Sequence, residues 1–158
     1  MAIYLEIEGI EGNVTAAGHE NWIDLNSIQW GVGRAISSSV GTSADREASK
    51  PSISEISVTK QMDASSPMIF TEACVGKSKT VTIHLCTTGT EEIETYMEYE
   101  LEDCMVSGYS VSSGGERPSE SISFSFTKMT MKFIPYGKDG SPESPIPAGY
   151  DMATGTTV

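Results

Sequence analysis

Apolar and polar residues alternate through much of this chain, and this period of two is typical of strands that bury one side. In Ala2–Glu8, for example, Ile3, Leu5 and Ile7 alternate with polar or charged neighbours. The same pattern recurs in Ser52–Lys60, Lys79–Cys86 and Ser119–Ile134. The pattern predicts a mainly β protein in which most strands bury one face.

Two of the predicted β segments change parity partway along. In Trp22–Ile36 the apolar residues switch register near Asn26–Ser27, which indicates a bulge or two short strands. In Ser119–Ile134 they switch around Thr127–Lys128, where we expect another bulge. The apolar residues on either side of these switches are Ile23, Leu25, Ile28 and Trp30 in the first segment, and Ile122, Phe124, Phe126, Met129, Met131 and Phe133 in the second.

One helix is predicted between these strands. Ser66 is a favourable N-cap, Pro67 suits the first helical position, and Gly76 can end the helix. This gives about eight to ten residues that pack one apolar side on the core. The stripe consists of Met68, Ile69 and Ala73, with Phe70 beside them.

The segment Glu91–Met105 fits both a helix and a strand. Apolar residues recur every four positions, as in a helix, at Ile93, Met97, Leu101 and Met105. The glutamates share one parity, as in a strand, at Glu92, Glu94, Glu98, Glu100 and Glu102. The β-rich neighbourhood favours the strand, with the acidic side chains solvated or lining a pore.

Two stretches are predicted to be irregular. Ser37–Pro51 has little apolar content and is expected to form a long exposed loop. Gly137–Val158 is rich in proline and glycine and is expected to form an extended tail. The sequence is therefore divided into a β domain over residues 1–136 and a tail over 137–158.

The formal net charge of −12 limits the classes of partner. Nucleic acids and anionic membranes bind through basic patches, so we expect neither as a partner. The first 33 residues hold no lysine, arginine or long hydrophobic stretch, so no secretory signal peptide is expected. The three cysteines show no C-x-x-C spacing, and we expect reduced, buried thiols.

No catalytic or metal-binding motif was found in the sequence. The two histidines, His19 and His84, do not have the spacing of zinc ligands, and His84 is expected on the polar side of its strand. Phosphate-binding, dinucleotide-binding and serine-hydrolase motifs do not occur. We therefore predict no catalytic residues, no cofactor and no metal.

Nine fragments together resemble one family: Ile3–Gly12, His19–Ile23, Ile28–Gly31, Ser57–Lys60, Met62–Asp63, Ala64–Pro67, Tyr109–Gly114, Glu120–Lys128 and Pro147–Asp151. Their order and spacing are similar to the haemolysin-coregulated protein (Hcp) family, the inner-tube component of the bacterial type VI secretion system. The match spans nearly the whole chain. One departure is Tyr150, where many relatives carry tryptophan, and the aromatic character is kept.

The resemblance implies a fold and an assembly. The fold would be a small β-barrel of two packed sheets with one short flanking α-helix, and six copies would close into a hexameric ring. Glu92–Leu101 would be a strand. Stacked rings would form a tube that ends at a spike protein, lies within a contractile sheath and carries effector proteins in its lumen. The protein would be made in the bacterial cytoplasm and then exported.

Two groups of residues are assigned expected roles on this basis. Gln29 lies where the family directs a side chain towards the lumen. The 37–51 loop is expected to reach an adjacent ring through Thr42, Ser43, Asp45, Arg46, Glu47 and Lys50. From the net charge we expect stacked rings to repel one another; the alternative is that Arg34, Arg46, Lys50 and Lys60 lie opposite the acidic segment 91–103 across the stacking interface. The alternatives are a freestanding β-barrel that binds a small ligand and, third, an enzyme.

Overall fold

The computed structural model describes residues 1–38, 46–89 and 92–158. This part of the chain forms fourteen strands and one α-helix. The elements are β1 (Ala2–Ile7), β2 (Ile23–Leu25), β3 (Ser27–Gln29), β4 (Val32–Gly33), β5 (Ile36–Ser38), β6 (Arg46–Ala48), β7 (Ser52–Ile53), β8 (Ile56–Gln61), α1 (Ser66–Val75), β9 (Lys79–Thr88), β10 (Ile93–Ser112), β11 (Ser119–Ser125), β12 (Lys128–Phe133), β13 (Ile146–Asp151) and β14 (Thr156–Thr157).

The strands form two antiparallel sheets that share β10. Sheet A has the order β2-β1-β9-β10-β12-β13-β14, and sheet B has the order β10-β11-β8-β3. The 20 residues of β10 pair in sheet A through their first part and with β11 in sheet B from Met105 onwards. The ambiguous acidic segment is thus a strand, as the β-rich neighbourhood predicted.

Both predicted parity changes mark places where the chain passes between the sheets. β2 pairs in sheet A and β3 in sheet B, and the Asn26 N–H between them donates to the Thr59 carbonyl at 2.7 Å. Likewise β11 belongs to sheet B and β12 to sheet A. Each crossing reverses which residues face inward, so the two sheets enclose one core. The mainly β class, the two sheets and a short helix are confirmed.

The core is built from the inward parity of both sheets. Leu5, Ile83 and Leu101 contribute from sheet A, and Val58 and Phe124 contribute from sheet B, all fully buried. Burial of each such side chain contributes about 1.5–3 kcal/mol to folding. The interior of sheet A is apolar along these rows, whereas the interior of sheet B also contains the buried Lys60 and Glu120.

Helix α1 differs from the prediction at its start and on its exposed side. Its N-cap is Ser65 rather than Ser66, and Pro67 lies in the first turn. Ile69 is fully buried, but Met68 and Phe70 are about half exposed, so the apolar stripe is narrower than predicted. The Gly76 N–H donates to the Glu72 carbonyl at 3.0 Å and ends the helix as expected.

Two segments expected to be irregular contain paired strands. β13 extends sheet A along its full length beside β12, and β14 pairs with β13, so residues 137–158 are partly an edge of the sheet. Residues 31–38 and 46–54 form a two-stranded ribbon in which β4 pairs with β7 and β5 with β6. Much of the surface of both segments is exposed. Their strands therefore do not need the alternation of apolar residues from which the other strands were predicted.

Candidate functional site

The outer faces of the two sheets are the largest candidate contact surfaces, and the outer face of sheet A is highly charged. Lys132 Nζ lies 3.0 Å from Glu98 Oε2, and Lys128 Nζ lies 3.3 Å from Glu102 Oε2. Acids and bases thus pair across neighbouring strands. We call this surface the charged face, and it comprises Glu6, Thr82, His84, Glu98, Glu100, Glu102, Lys128, Thr130 and Lys132.

The glutamates of β10 do not all share this face. Glu94 aligns with Thr87 of β9, whereas Glu98 aligns with His84. These β9 positions are three residues apart, and a bulge between Thr95 and Met97 absorbs the difference. Glu94 and Glu98 therefore point to opposite faces, and the prediction of one uninterrupted acidic row was wrong at this point.

The outer face of sheet B is rich in hydroxyl groups and carries no charged side chain within its paired strands; Glu55 lies at its edge, where it accepts from the Ser107 hydroxyl at 2.8 Å. Ser27 Oγ and Thr59 Oγ1 share a hydrogen bond of 2.5 Å across neighbouring strands. Gln29 is exposed on this face and aligns with Ser57. We call it the hydroxyl face, and its ten residues are Ser27, Gln29, Ser57, Thr59, Gln61, Ser110, Ser112, Ser119, Ser121 and Ser123.

The ribbon of residues 31–38 and 46–54 carries three of the predicted ring-stacking residues. Its root is held by backbone hydrogen bonds from Ser54 to Gly31 and from Ser49 to Ala35, both 2.8 Å. Lys50 is exposed, and Arg46 and Glu47 lie in β6. The remaining predicted residues, Thr42, Ser43 and Asp45, lie outside the described residues.

An apolar cleft of about 260 Å³ separates the root of this ribbon from β12 and β13. Trp30 forms part of its wall and meets the Tyr99 ring edge-on, with the ring centroids 5.7 Å apart. The rest of the wall is formed by Val32, Pro51, Ile53, Met129, Met131, Ala148, Gly149, Tyr150 and Thr157. Beyond Met131 and Ala148 the same side of sheet A continues to Phe133 and Ile146, which are 42% and 62% exposed.

A buried ionic network fastens α1 to sheet B. Lys60, which is fully buried, donates to Asp63 Oδ1 at 2.9 Å and pairs with the equally buried carboxylate of Glu120. The Ser66 hydroxyl donates to Glu120 Oε1 at 3.0 Å, so the residue predicted as the N-cap instead anchors the helix to β11. Burying charges is tolerated here because each one has several partners.

Tyr109 completes this network from β10. Its hydroxyl donates to Glu120 Oε2. Burial, followed by this hydrogen bond to the carboxylate, raises the pKa of Tyr109 to about 12, so the phenol stays neutral and remains a donor. These residues fall within the fragments that carry the family resemblance.

The network also corrects an expectation about the cations. Lys60 has no exposed surface and is engaged inside its own chain, so it cannot face an acidic segment of a neighbouring ring. Arg34 and Lys50 are exposed and remain available. The alternation in Ser52–Lys60 places Lys60 on the inward parity of Ile56 and Val58, and this was the available sequence signal.

The other titratable groups give no sign of a reaction centre. Over the described ranges, with 39–45 and 90–91 left out, no three His, Cys, Asp or Glu side chains are grouped so as to hold a metal ion. Cys86 and Cys104 are buried as expected, whereas Cys74 is exposed. His84 is half-buried and hydrogen-bonded to His19.

A model of the family described as type VI secretion system effector, Hcp, matches residues 4–133. The chain thus has the fold of type VI secretion proteins and belongs to the Hcp family. It is a structural secretion protein of this system. No curated protein matches the chain. No helix in the described part of the chain is both long and apolar enough to span a membrane.

Solved structures support the same assignment. A type six secretion system protein is 26% identical, with a TM-score of 0.90 and 99% of each chain covered. A type VI secretion system effector from Yersinia pestis is 27% identical, with a TM-score of 0.73, and the match covers 94% of this chain and 98% of the other. Hcp1 from Salmonella typhimurium is 22% identical, has a TM-score of 0.75 with 99% and 98% covered, and supports the fold.

Proposed function

We propose that this chain is the inner-tube component of a type VI secretion system, in which six copies close into a ring and rings stack into an exported tube. The observation that carries the proposal is the apolar cleft and the exposed apolar side of sheet A next to it. In a chain of net charge −12, a contiguous apolar surface of this kind is typical of a protein contact. Its proposed occupant is a second copy of this chain.

The ring geometry follows from the kind of interface. The cleft is concave and apolar and is bounded by the ribbon on one side, so it would receive a different surface of the neighbouring copy. Such a head-to-tail contact generates a closed ring when its rotation closes and a filament when it does not. A ring of six chains of 16.9 kDa has a mass of about 101 kDa.

In this proposal the hydroxyl face lines the lumen. Gln29 would project into the channel together with the serines and threonines around it. A lining without charged side chains does not select cargo by the cargo's net charge. Effector proteins of positive or negative net charge could therefore be carried. Hydroxyl and amide groups would still offer hydrogen bonds to the cargo surface.

The ribbon is the proposed contact between rings. Residues 31–37 and 48–50 are all exposed, which suits a segment that is covered only after assembly. Arg34 and Lys50 bring positive charge to a chain that is otherwise acidic. The spike protein and the contractile sheath are the further proposed partners, at the end and the outside of the tube.

Substitution in the apolar surface tests ring formation. Ile146→Glu places a charge where the neighbouring copy would bury it, so we expect the native mass to fall from about 101 kDa to that of one 16.9 kDa chain. Val75→Glu is the matched control, because Val75 is 76% exposed on α1 and lies outside the cleft. A wild-type protein that elutes and scatters as a single chain would favour the freestanding ligand-binding barrel instead.

Deletion of residues 42–49 tests the stacking contact. Six shortened chains should still form a ring, because the deletion removes β6 and the Ser49–Ala35 hydrogen bond but leaves the Ser54–Gly31 hydrogen bond and the residues that line the cleft. Rings should fail to stack, and export by the producing cell should be lost. Normal export of the deletion variant would exclude an essential role for this segment.

A further inference from the structure

The loop of residues 12–22 folds back on itself over the edge of sheet A formed by β2. The Gly12 N–H donates to the Asn21 carbonyl at 2.8 Å, and the Val14 N–H donates to the Trp22 carbonyl at 3.1 Å. A Cβ atom at Gly12 would lie 2.4 Å from the Trp22 carbonyl, so this close approach requires glycine. These backbone hydrogen bonds lie within the loop. A separate set of side chains attaches the loop to the sheet.

His19 is the buried anchor of this loop. Its side chain contacts the face of sheet A at His84, where Nε2 of His19 lies 2.9 Å from Nδ1 of His84. Tyr4 and Trp22 each place a ring centroid 4.8 Å from that of His19, and Trp22 also lies 4.6 Å from His84. His19 is only 6% exposed, so the contact is largely shielded from water.

The hydrogen bond between the rings requires one donor and one acceptor. His84 Nε2 lies 3.5 Å from Glu98 Oε1, which favours the tautomer that carries its proton on Nε2. His84 Nδ1 is then a lone pair, and His19 Nε2–H donates to it. This leaves His19 Nδ1 as an unprotonated nitrogen, and it is a buried atom without a hydrogen-bond partner.

Protonation is incompatible with this arrangement. A proton on His84 Nδ1 faces the N–H of His19, and the bond survives only if the His19 proton moves to Nδ1, where no acceptor is available. The charged and titratable groups around the pair are Tyr4, Glu20, Asp24, Cys86, Glu98, Lys132 and Tyr136.

We propose that His19 and His84 form an acid-sensitive latch, which holds loop 12–22 on sheet A while His84 Nδ1 accepts the hydrogen bond from His19 and releases it when His84 is protonated. Residues 13–16 of the loop form one wall of a polar cleft of about 430 Å³, together with Tyr4, Asp24, Asp63 and Arg117. Release of the loop opens this cleft and exposes Tyr4 and Trp22 to solvent.

The direction of the pH effect follows from the surroundings of His84. Burial lowers its pKa, Glu98 acts in the opposite direction, and His19 and Lys132 lower it further. The closed loop therefore binds fewer protons than the open loop as the pH falls below about 6.5. Above that pH the latch contributes fully to the free energy that favours the closed loop. This contribution is lost as the pH falls through the lowered pKa of His84.

Acrylamide quenching of Trp22 fluorescence tests the latch in the full chain. Trp30→Phe leaves Trp22 as the remaining tryptophan of two. We expect the quenching constant to rise by about twofold between about pH 8 and pH 5, because local opening exposes the half-buried Trp22 ring further. Circular dichroism should stay unchanged, which separates loop release from unfolding. A quenching constant that does not change with pH would overturn the proposal.

His84→Gln is the decisive variant in the same background. A glutamine can accept from His19 Nε2–H and donate to Glu98 without titrating, so quenching should no longer depend on pH. His84→Ala removes the acceptor and should leave the loop open at every pH. An acid response in His84→Gln equal to that of wild type would refute the latch.

A third variant keeps the test valid if substitution of His84 impairs folding. Glu98→Gln removes the carboxylate that favours protonated His84, so the midpoint of the quenching change should move to lower pH. A midpoint that stays in place, or moves to higher pH, would contradict the proposed geometry.

Discussion

The two sheets distribute charge in opposite ways. Sheet A carries glutamates and lysines on its outer face and an apolar interior, whereas sheet B carries serine and threonine outside and the Lys60–Glu120 pair inside. The charges of sheet A are shared with water, and those of sheet B are satisfied by each other and by Asp63, Ser66 and Tyr109. The buried Lys60–Glu120 pair and the exposed Lys132–Glu98 pair should therefore contribute very differently to the free energy of unfolding and to contacts with other chains.

The comparison also separates folding from assembly. A sheet face without charged side chains in its paired strands is unusual for a chain in which 20% of residues are charged. Replacing an exposed serine by lysine or glutamate would not disturb the packing of the core, so the fold does not require an uncharged face. The hydroxyl face is thus best explained by what it contacts. The buried pair, in contrast, is explained by the fold, because it joins α1 to β8 and β11.

The largest predicted difference concerns the ion pairs themselves. Lys60→Met leaves Glu120 buried without its cation, and we expect the free energy of unfolding to fall by about 3–5 kcal/mol. Lys132→Met removes a cation from an exposed pair and should change it by about 0–1 kcal/mol. Urea unfolding of both variants at one protein concentration measures the difference.

A double variant sharpens this result. Lys60→Met with Glu120→Leu replaces the buried pair by apolar side chains, so part of the lost stability should return, less the hydrogen bonds that Glu120 accepts from Ser66 and Tyr109. Equal losses for Lys60→Met and Lys132→Met would show that the two sheets do not differ in the way described.

The next prediction compares two tyrosine hydroxyls. Tyr109→Phe removes a hydrogen bond to the buried Glu120 carboxylate, and we expect a loss of about 1.5–3 kcal/mol. Tyr136→Phe removes a hydrogen bond of 2.9 Å to the neutral Thr95 carbonyl in sheet A, and about 0.5–1.5 kcal/mol should be lost. Thermal and urea unfolding should rank the variants in this order, and the reverse ranking would contradict a special role for Glu120.

The sequence predicts the strands and their crossings well, because alternation reports directly which side of a strand is buried. The parity changes near Asn26 and Thr127 correspond to passages between the sheets, although the sequence alone indicates only local irregularity. The choice of a strand for the acidic segment is likewise confirmed from Ile93 onwards, where β10 begins. Whole-chain features such as the sharing of β10 between sheets depend on pairing partners that are distant in sequence.

The sequence was least informative where polar residues have tertiary partners. Ser66 has the properties of an N-cap, but its hydroxyl is engaged by Glu120, which is 54 residues away. Lys60 seemed available for a partner because charged residues are usually exposed. The pairing of β13 with β12 was missed because proline and glycine weaken the alternation, although Pro147 suits a strand near the edge of a sheet.

A charge on the hydroxyl face should affect cargo rather than stability. For Gln29→Arg we expect a change of about tenfold in the amount of at least one effector kept in the producing cell, or about 1.4 kcal/mol in binding. The free energy of unfolding should change by no more than about 0.5 kcal/mol, as is usual for surface residues. Thr130→Arg on the charged face is the control, and equal effector amounts in all three proteins would count against a lumen at Gln29.

The smallest predicted effect is that of salt on stacking. Six chains of −12 each repel one another, and the burial of Lys60 leaves fewer cations that could offset this repulsion between rings. Added salt shortens the reach of the repulsion from about 8 Å at 0.15 M to about 3 Å at 1 M, so light scattering of purified rings should rise modestly with salt. Scattering that falls steadily with salt would mean that attraction between Arg34 or Lys50 and acidic residues dominates.

The orientation of the two sheets in the assembled ring tests the central claim most directly. A cryo-electron microscopy structure of purified rings shows which outer face borders the channel. We predict six copies, with Gln29, Ser57 and the rest of the hydroxyl face lining the channel and the charged face directed away from it. A channel lined by Glu98, Glu100 and Lys132, or a particle without a channel, would contradict this account.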